Sequence, residues 1–164
     1  VLIFAYDGSL NGDWVAHYAV RFALHAPERR LRLIHLEESV RGESARGRIA
    51  RIEAECGVVG VKLDAEIHPA RPGAVAEQLL ELAGDDPADT LLAGTRARPR
   101  NLAFLAGTVS ARLLDRATIS VVALRVVHPG ILGQPGSMLL PLSGHPKAAE
   151  RVVRTLAVFG PELE

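Results

Sequence analysis

The chain of 164 residues carries 19 basic and 19 acidic side chains for a formal net charge of zero, with 48% apolar and 23% charged residues. That is one ordinary folded domain with a small addition: too apolar and too weakly charged for bulk disorder, and too short for two full domains. Zero net charge also argues against non-specific binding to nucleic acid or to an anionic membrane, since both depend on a basic field.

The opening run Val1-Leu2-Ile3-Phe4-Ala5-Tyr6, ended by Asp7-Gly8-Ser9, reads as a strand buried on both faces and closed by a turn. From residue 11 the pattern changes. Val15, Ala16, Ala19, Val20 and Ala23 recur at three- and four-residue steps and predict an amphipathic helix over residues 11–26, stopping near Pro27. A second strand follows over 31–36. A polar stretch, 37–48, leads into a helix expected to end at Gly57, and 58–67 holds a third strand. Pro72 is placed in the first turn of the next helix, whose apolar face is Val75, Leu79, Leu80 and Leu82 before Gly84 and the Asp85-Asp86-Pro87 turn. A fourth strand over 90–93, a loop from Gly94 to Ala106, a helix over 108–116 and a fifth strand over 119–124 complete the unit.

Strict strand and helix alternation predicts an α/β fold: an open, mainly parallel five-stranded sheet with helices on both faces. In such sheets the ligand crevice lies at the carboxyl ends of the strands, where the strand order reverses. Beyond the fifth strand, residues 127–137 have the Pro- and Gly-rich composition of a linker. Met138-Leu139-Leu140-Pro141-Leu142-Ser143-Gly144-His145 and the helical run to Phe159 then parallel the opening strand, turn and helix, as the start of a second unit would. A lone strand and helix cannot bury their own apolar faces, so this tail must pack on the domain, on a second copy or on further sequence.

The segment from Gly94 to Ser110 carries the most chemical information. A glycine leaves a buried strand, Arg96, Arg98 and Arg100 follow in a polar loop, and Gly107-Thr108-Val109-Ser110 opens a helix. A helix start offers free N–H groups and the positive end of the dipole, which suit a phosphate. The same residues also read as a plain helix start, with Thr108 or Ser110 as cap and Gly107 closing a turn. The three arginines read either as forks for terminal phosphates or as a solvated edge. No P-loop lysine and no G-x-G-x-x-G pattern is present. Asp7 likewise has a structural reading, as a carboxylate bonded to N–H groups at the start of the first helix.

The strand closed by Asp7-Gly8-Ser9, with the G-x-x-G-x9-G-[ST] pattern that begins at Gly94, resembles the universal stress protein family over residues 1–126. Residues 138–164 resemble the beginning of a second copy, as in tandem members. The resemblance implies a Rossmann-like sheet of strand order 3-2-1-4-5. It also implies ATP or a related adenine nucleotide as ligand, with or without Mg. Gly94, Ala97, Gly107, Thr108, Val109 and Ser110 would then serve the phosphates and ribose, and Ala5, Tyr6, Asp7 and Leu36 the adenine pocket. Asp7 would accept from the adenine amino group and Leu36 would offer backbone contacts. One departure stands out: the motif's second glycine is Ala97, which weakens the phosphate loop if that position needs positive φ or close approach. In the second copy Ser143 replaces the aspartate and Pro141 precedes it. The resemblance further implies a homodimer, or a pseudo-dimer within one chain, through the strand at 119–124, which would be an aggregation hazard as a bare edge.

Other chemistries have little support. The six histidines show no metal-binding spacing, and His35 reads as a satisfied core or edge residue. Ser9 and Ser110 lack a nucleophile-elbow context. Cys56 is the single cysteine, which excludes an intrachain disulfide, reads as inert and fits a reducing compartment. No apolar run reaches the ~20 residues of a spanning helix and no signal-peptide pattern opens the chain, so a cytoplasmic location is expected. The start at Val1, already in a strand pattern, leads us to expect a trimmed chain. Three functions therefore compete: a nucleotide-binding stress sensor without efficient turnover, a dimeric scaffold that has lost nucleotide binding, and a slow ATPase whose sole candidate base is Asp7.

Overall fold

The chain was analysed as a computed structural model, which describes residues 1–37, 45–95, 108–126 and 153. Strands and helices alternate through the described residues: β1 (Leu2–Tyr6), α1 (Leu10–His25), β2 (Arg30–Glu37), α2 (Ala45–Val59), β3 (Lys62–Pro69), α3 (Val75–Ala83), β4 (Thr90–Gly94), α4 (Val109–Arg116) and β5 (Ser120–Leu124). The strands form one sheet in the order β3-β2-β1-β4-β5, and every pairing is parallel. This is the α/β architecture and strand order expected above.

The apolar alternation of β1 shows why the sheet needs helices on both sides. Leu2, Phe4 and Tyr6 pack with α1 and α2 on one face, while Ile3 and Ala5 pack with α3 and α4 on the other. Ile3 and Phe4 are both fully buried. Each such side chain contributes about 1.5–3 kcal/mol on leaving water, which is lost if either face stays open. The predicted stripe of α1 (Val15, Ala16, Ala19, Val20, Ala23) is buried against the first of these faces. Ser9 caps the helix by accepting the Gly12 N–H at 3.0 Å.

Several boundaries differ from the sequence-based expectation: α2 already begins at Ala45, inside the stretch expected to lead into it, β3 runs on to Pro69, and two further differences have a local cause. Helix α2 does not stop at Gly57 and no strand begins at Val58; the helix runs to Val59 and β3 starts at Lys62. The stop is Gly60, whose φ of +74° takes the chain out of the helix, and the Val61 N–H donates back to the Cys56 carbonyl at 2.9 Å. Val58 and Val59 suggested a strand because they are β-branched, yet Val58 is 87% exposed on the helix. Cys56 and Val61, buried on either side of them, decide the local geometry. Pro72, expected inside the first turn of α3, instead lies ahead of it. The Ala74 N–H donates to the Arg71 carbonyl at 3.1 Å across Pro72 and Gly73, and Gly73 has φ +74°, as in a type II turn. Gln78 fastens this turn to the helix, its Oε1 accepting the Arg71 N–H at 2.8 Å and its Nε2 donating to the Pro69 carbonyl at 2.9 Å.

The expected linker at 127–137 and, apart from Val153, the expected second unit at 138–164 lie outside the described residues. No helix among the described residues is long and apolar enough to cross a membrane.

Candidate functional site

Strands β1 and β4 are paired as far as Ala5 and Ala93, and then their chains part. After β1 the chain crosses to the face covered by α1, and after β4 it continues to α4 on the opposite face. A sheet opened in this way has its crevice at the divergence, at the carboxyl ends of the strands. Asp7, Gly94 and the start of α4 are the sequence-predicted residues nearest this point in the topology.

The wall on the β1 side is organised by Asp7. Its Oδ1 accepts from the Ser9 N–H at 3.0 Å and from the Ser9 hydroxyl at 2.6 Å. The carboxylate therefore supports the helix cap at one remove, with Ser9 itself as the cap. Gly8, at φ +71°, makes the turn between them. Tyr6 is turned the other way. Its ring is buried on the α1 and α2 face, and its hydroxyl donates to Asp13 Oδ1 at 2.5 Å, while Arg48 from α2 donates to the other oxygen of Asp13. Burial, followed by the bond to Asp13 and that residue's charge, raises the Tyr6 phenol well above its ordinary value. The phenol is a structural donor.

His35, treated at the sequence level as a satisfied core or edge residue, is buried at the end of β2 beside Tyr6. Its Nδ1 stands 2.9 Å from the Tyr6 carbonyl. A carbonyl only accepts, so this nitrogen carries the hydrogen, and the bond fixes the last residue of β1 before the crevice. The ring also closes on Gly8, where an added Cβ would meet His35 Cε1 at 3.2 Å.

The opposite wall joins β4 to α4. The Ser110 hydroxyl donates to the Gly94 carbonyl at 2.9 Å, which fixes the first turn of α4 against the end of β4. Thr108 is the N-cap of α4, with its Oγ1 accepting the Ala111 N–H at 3.1 Å. The bland reading of Thr108 as a cap is thus realised, and the helix start still presents the positive end of its dipole toward the sheet edge. Gly94 is closely packed on its α1 side, where a Cβ would stand 3.3 Å from Val15 Cγ2 and 3.4 Å from Asn11 Nδ2. Ala5 and Leu36 are half-buried on the α3 and α4 face, and Val109 is 40% exposed. Ala97, Gly107 and the three loop arginines Arg96, Arg98 and Arg100 fall outside the described residues.

Gly12 and Thr95 belong to this edge although the sequence reading passed over both. A Cβ on Gly12 would collide with Asp7 Oδ1 and stand 3.0 Å from Tyr6 Cε2, so this glycine allows the carboxylate to sit over the helix start. The available signal was a glycine in the first turn of a helix, where it costs about 1 kcal/mol relative to alanine. Among the described residues, no group of three His, Cys, Asp or Glu side chains is placed to hold a metal ion.

No protein-family model matches the chain, and no curated protein matches it significantly. Solved structures do. One is a universal stress protein in complex with cAMP, with TM-score 0.59 and 19% identity over 78% of this chain and 95% of that one. Another is the hypothetical protein MJ0577, the subject of a structure-based assignment of biochemical function, with TM-score 0.59 and 17% identity over 77% of this chain and 96% of that one. A third is a protein from the universal stress protein family from Burkholderia pseudomallei, with TM-score 0.53 and 20% identity over 74% of this chain and 94% of that one. The chain has the fold of the universal stress proteins.

Proposed function

We propose that the chain is a universal stress protein that binds an adenine nucleotide at the carboxyl edge of its sheet. It acts in the cytoplasm as a sensor or regulator without efficient turnover. The observation that carries this reading is the Ser110 hydroxyl bond to the Gly94 carbonyl, which sets the Thr108-capped start of α4 beside the divergence of β1 and β4. A phosphate there meets the N–H groups of Val109 and Ser110 and the helix dipole. Ala5 and Leu36 supply apolar contact for the base, and Asp7 accepts from its amino group. The likeness to a protein in complex with cAMP, an adenine nucleotide, supports the same ligand class here.

Calorimetry with Mg-ATP and with cAMP tests the reading. Saturable binding, abolished by Gly107→Ala, is the expected result. Binding that survives Gly107→Ala removes the phosphate from the start of α4, and no binding to the unaltered chain removes the nucleotide. Turnover measured with Asp7→Ala separates the ATPase alternative, which requires loss of rate at unchanged affinity.

A second reading, a dimeric scaffold, is favoured by β5. Among the described residues it is an edge strand, and each of its five residues is only half-buried. Such an edge is normally paired or covered. A dimer in solution with no affinity for nucleotide would establish this reading over the first.

A further inference from the structure

Thr95 follows directly on β4 and is 4% exposed, and its hydroxyl oxygen is buried without a hydrogen-bond partner among the described residues. Its backbone is accounted for, because the N–H donates to the Leu124 carbonyl at 2.9 Å and so extends the β4–β5 ladder by one step. The ladder keeps the strand alternation running through this residue. Leu91 and Ala93 face α3 and α4, Gly94 faces Val15 and Asn11 of α1, and Thr95 therefore returns to the α4 face. Ala5 and Leu36 lie on that same face. The first turn of α4 is fastened next to it through Ser110 and Gly94.

A threonine hydroxyl can donate once and accept twice, and a buried one is almost always satisfied. This one is unsatisfied beside a helix start, where an anion is favoured. We infer that Thr95 is a ligand-binding residue whose hydroxyl donates to a phosphate oxygen of the nucleotide held at the start of α4. The inference rests on the nucleotide reading above and adds a specific donor to it. It also accounts for a polar residue at a position where the fold alone would be served by valine.

The test compares Thr95→Val and Thr95→Ser in the full chain, using ATP, tripolyphosphate and adenosine as probes. Thr95→Val keeps the shape and removes the donor, so ATP and tripolyphosphate binding should weaken roughly tenfold or more, as for hydrogen bonds to charged groups. Adenosine binding should stay unchanged, and Thr95→Ser should retain most of the affinity for ATP. Without ligand, Thr95→Val should unfold at the same temperature as the parent or higher, since it discards an unsatisfied buried hydroxyl. ATP binding by Thr95→Val equal to that of the parent overturns the assignment of Thr95 alone, as does an equal loss for adenosine. Absence of nucleotide binding in the unaltered chain overturns this inference together with the reading beneath it.

Discussion

Glycine to alanine at two helical positions should have opposite effects, and the difference follows from what an added methyl would touch. At Gly57 in α2 nothing lies within 4 Å of the Cβ position, and the backbone is not in the positive-φ region. Gly57→Ala should therefore stabilise by about 0.5–1 kcal/mol through the lower entropy of the unfolded chain. At Gly12 the methyl would stand 3.0 Å from Tyr6 Cε2 and 3.2 Å from Cδ2, and closer still to Asp7 Oδ1. Ordinary contact begins near 3.4 Å, so the ring must retreat by a few tenths of an ångström. It has little room, being 3% exposed and tied through its hydroxyl to Asp13. Overpacking of this kind costs about 1–3 kcal/mol. Displacing Asp7 from Ser9 removes two exposed hydrogen bonds at about 0.5 kcal/mol each, which the better helix propensity of alanine, about 1 kcal/mol, roughly offsets. The net expectation for Gly12→Ala is a loss of about 1–3 kcal/mol, or roughly 0.5–1.5 M in urea midpoint for a slope near 2 kcal/mol/M. Urea titration of both variants at unchanged slope reads this directly. A Gly12→Ala protein as stable as its parent, or two variants shifted in the same direction, would refute the close approach of Asp7 and Tyr6 to α1.

Two further expectations concern titrating groups. The Cys56 thiol, pushed up to about 11 by burial and then by Glu55 and Glu53, should resist a maleimide in the native state and react only at the rate of unfolding; rapid stoichiometric labelling of folded protein would contradict its burial. On β2 and β3, the bond from Arg30 holds the Asp64 carboxyl below its ordinary range, and the bond from Arg32 does the same for Glu66. A carboxyl lowered in the folded state stabilises above its unfolded value and loses that contribution as pH falls through the folded one. The urea midpoint should accordingly decline as pH drops below about 4, and Arg32→Ala should flatten the decline. A decline of the same slope in the variant would exclude the pair.

The layer arrangement was legible because it depends on hydrophobic period, a property of many residues at once. Short strand-like segments alternating with amphipathic helical ones admit few arrangements other than a parallel sheet with both faces covered. The boundaries were less legible because each depends on one residue's conformation. Gly57 and Gly60 are equally able to end a helix in the sequence, and only the Val61 bond to the Cys56 carbonyl selects the second. Pro72 is compatible with a first helical turn or with the second position of a β-turn, and the positive φ of Gly73 selects the β-turn.

At the candidate site, motif spacing found residues by position but not by the direction of their side chains. Tyr6 and Asp7 are neighbours in sequence, yet one side chain enters the α1 and α2 core while the other bonds back over the helix cap. Thr95 lies between Gly94 and Ala97 of the same pattern and drew no notice, because a threonine after a strand is unremarkable until its hydroxyl is found buried and unsatisfied. Gly12 has the same character. Its cost in helix propensity was visible, but the reason for accepting that cost is a carboxylate five residues earlier in the chain, brought over the helix by a turn at Gly8. Both are relations between a backbone and something that approaches it, and they appear only once the strand ends are placed. The residues that shape a switch-point crevice should therefore include small or hydroxyl-bearing positions beside the motif glycines. Here Gly12 leaves room for Asp7 on one wall, and the buried Thr95 follows Gly94 on the other, where the bond from Ser110 to Gly94 fixes the start of α4 in place.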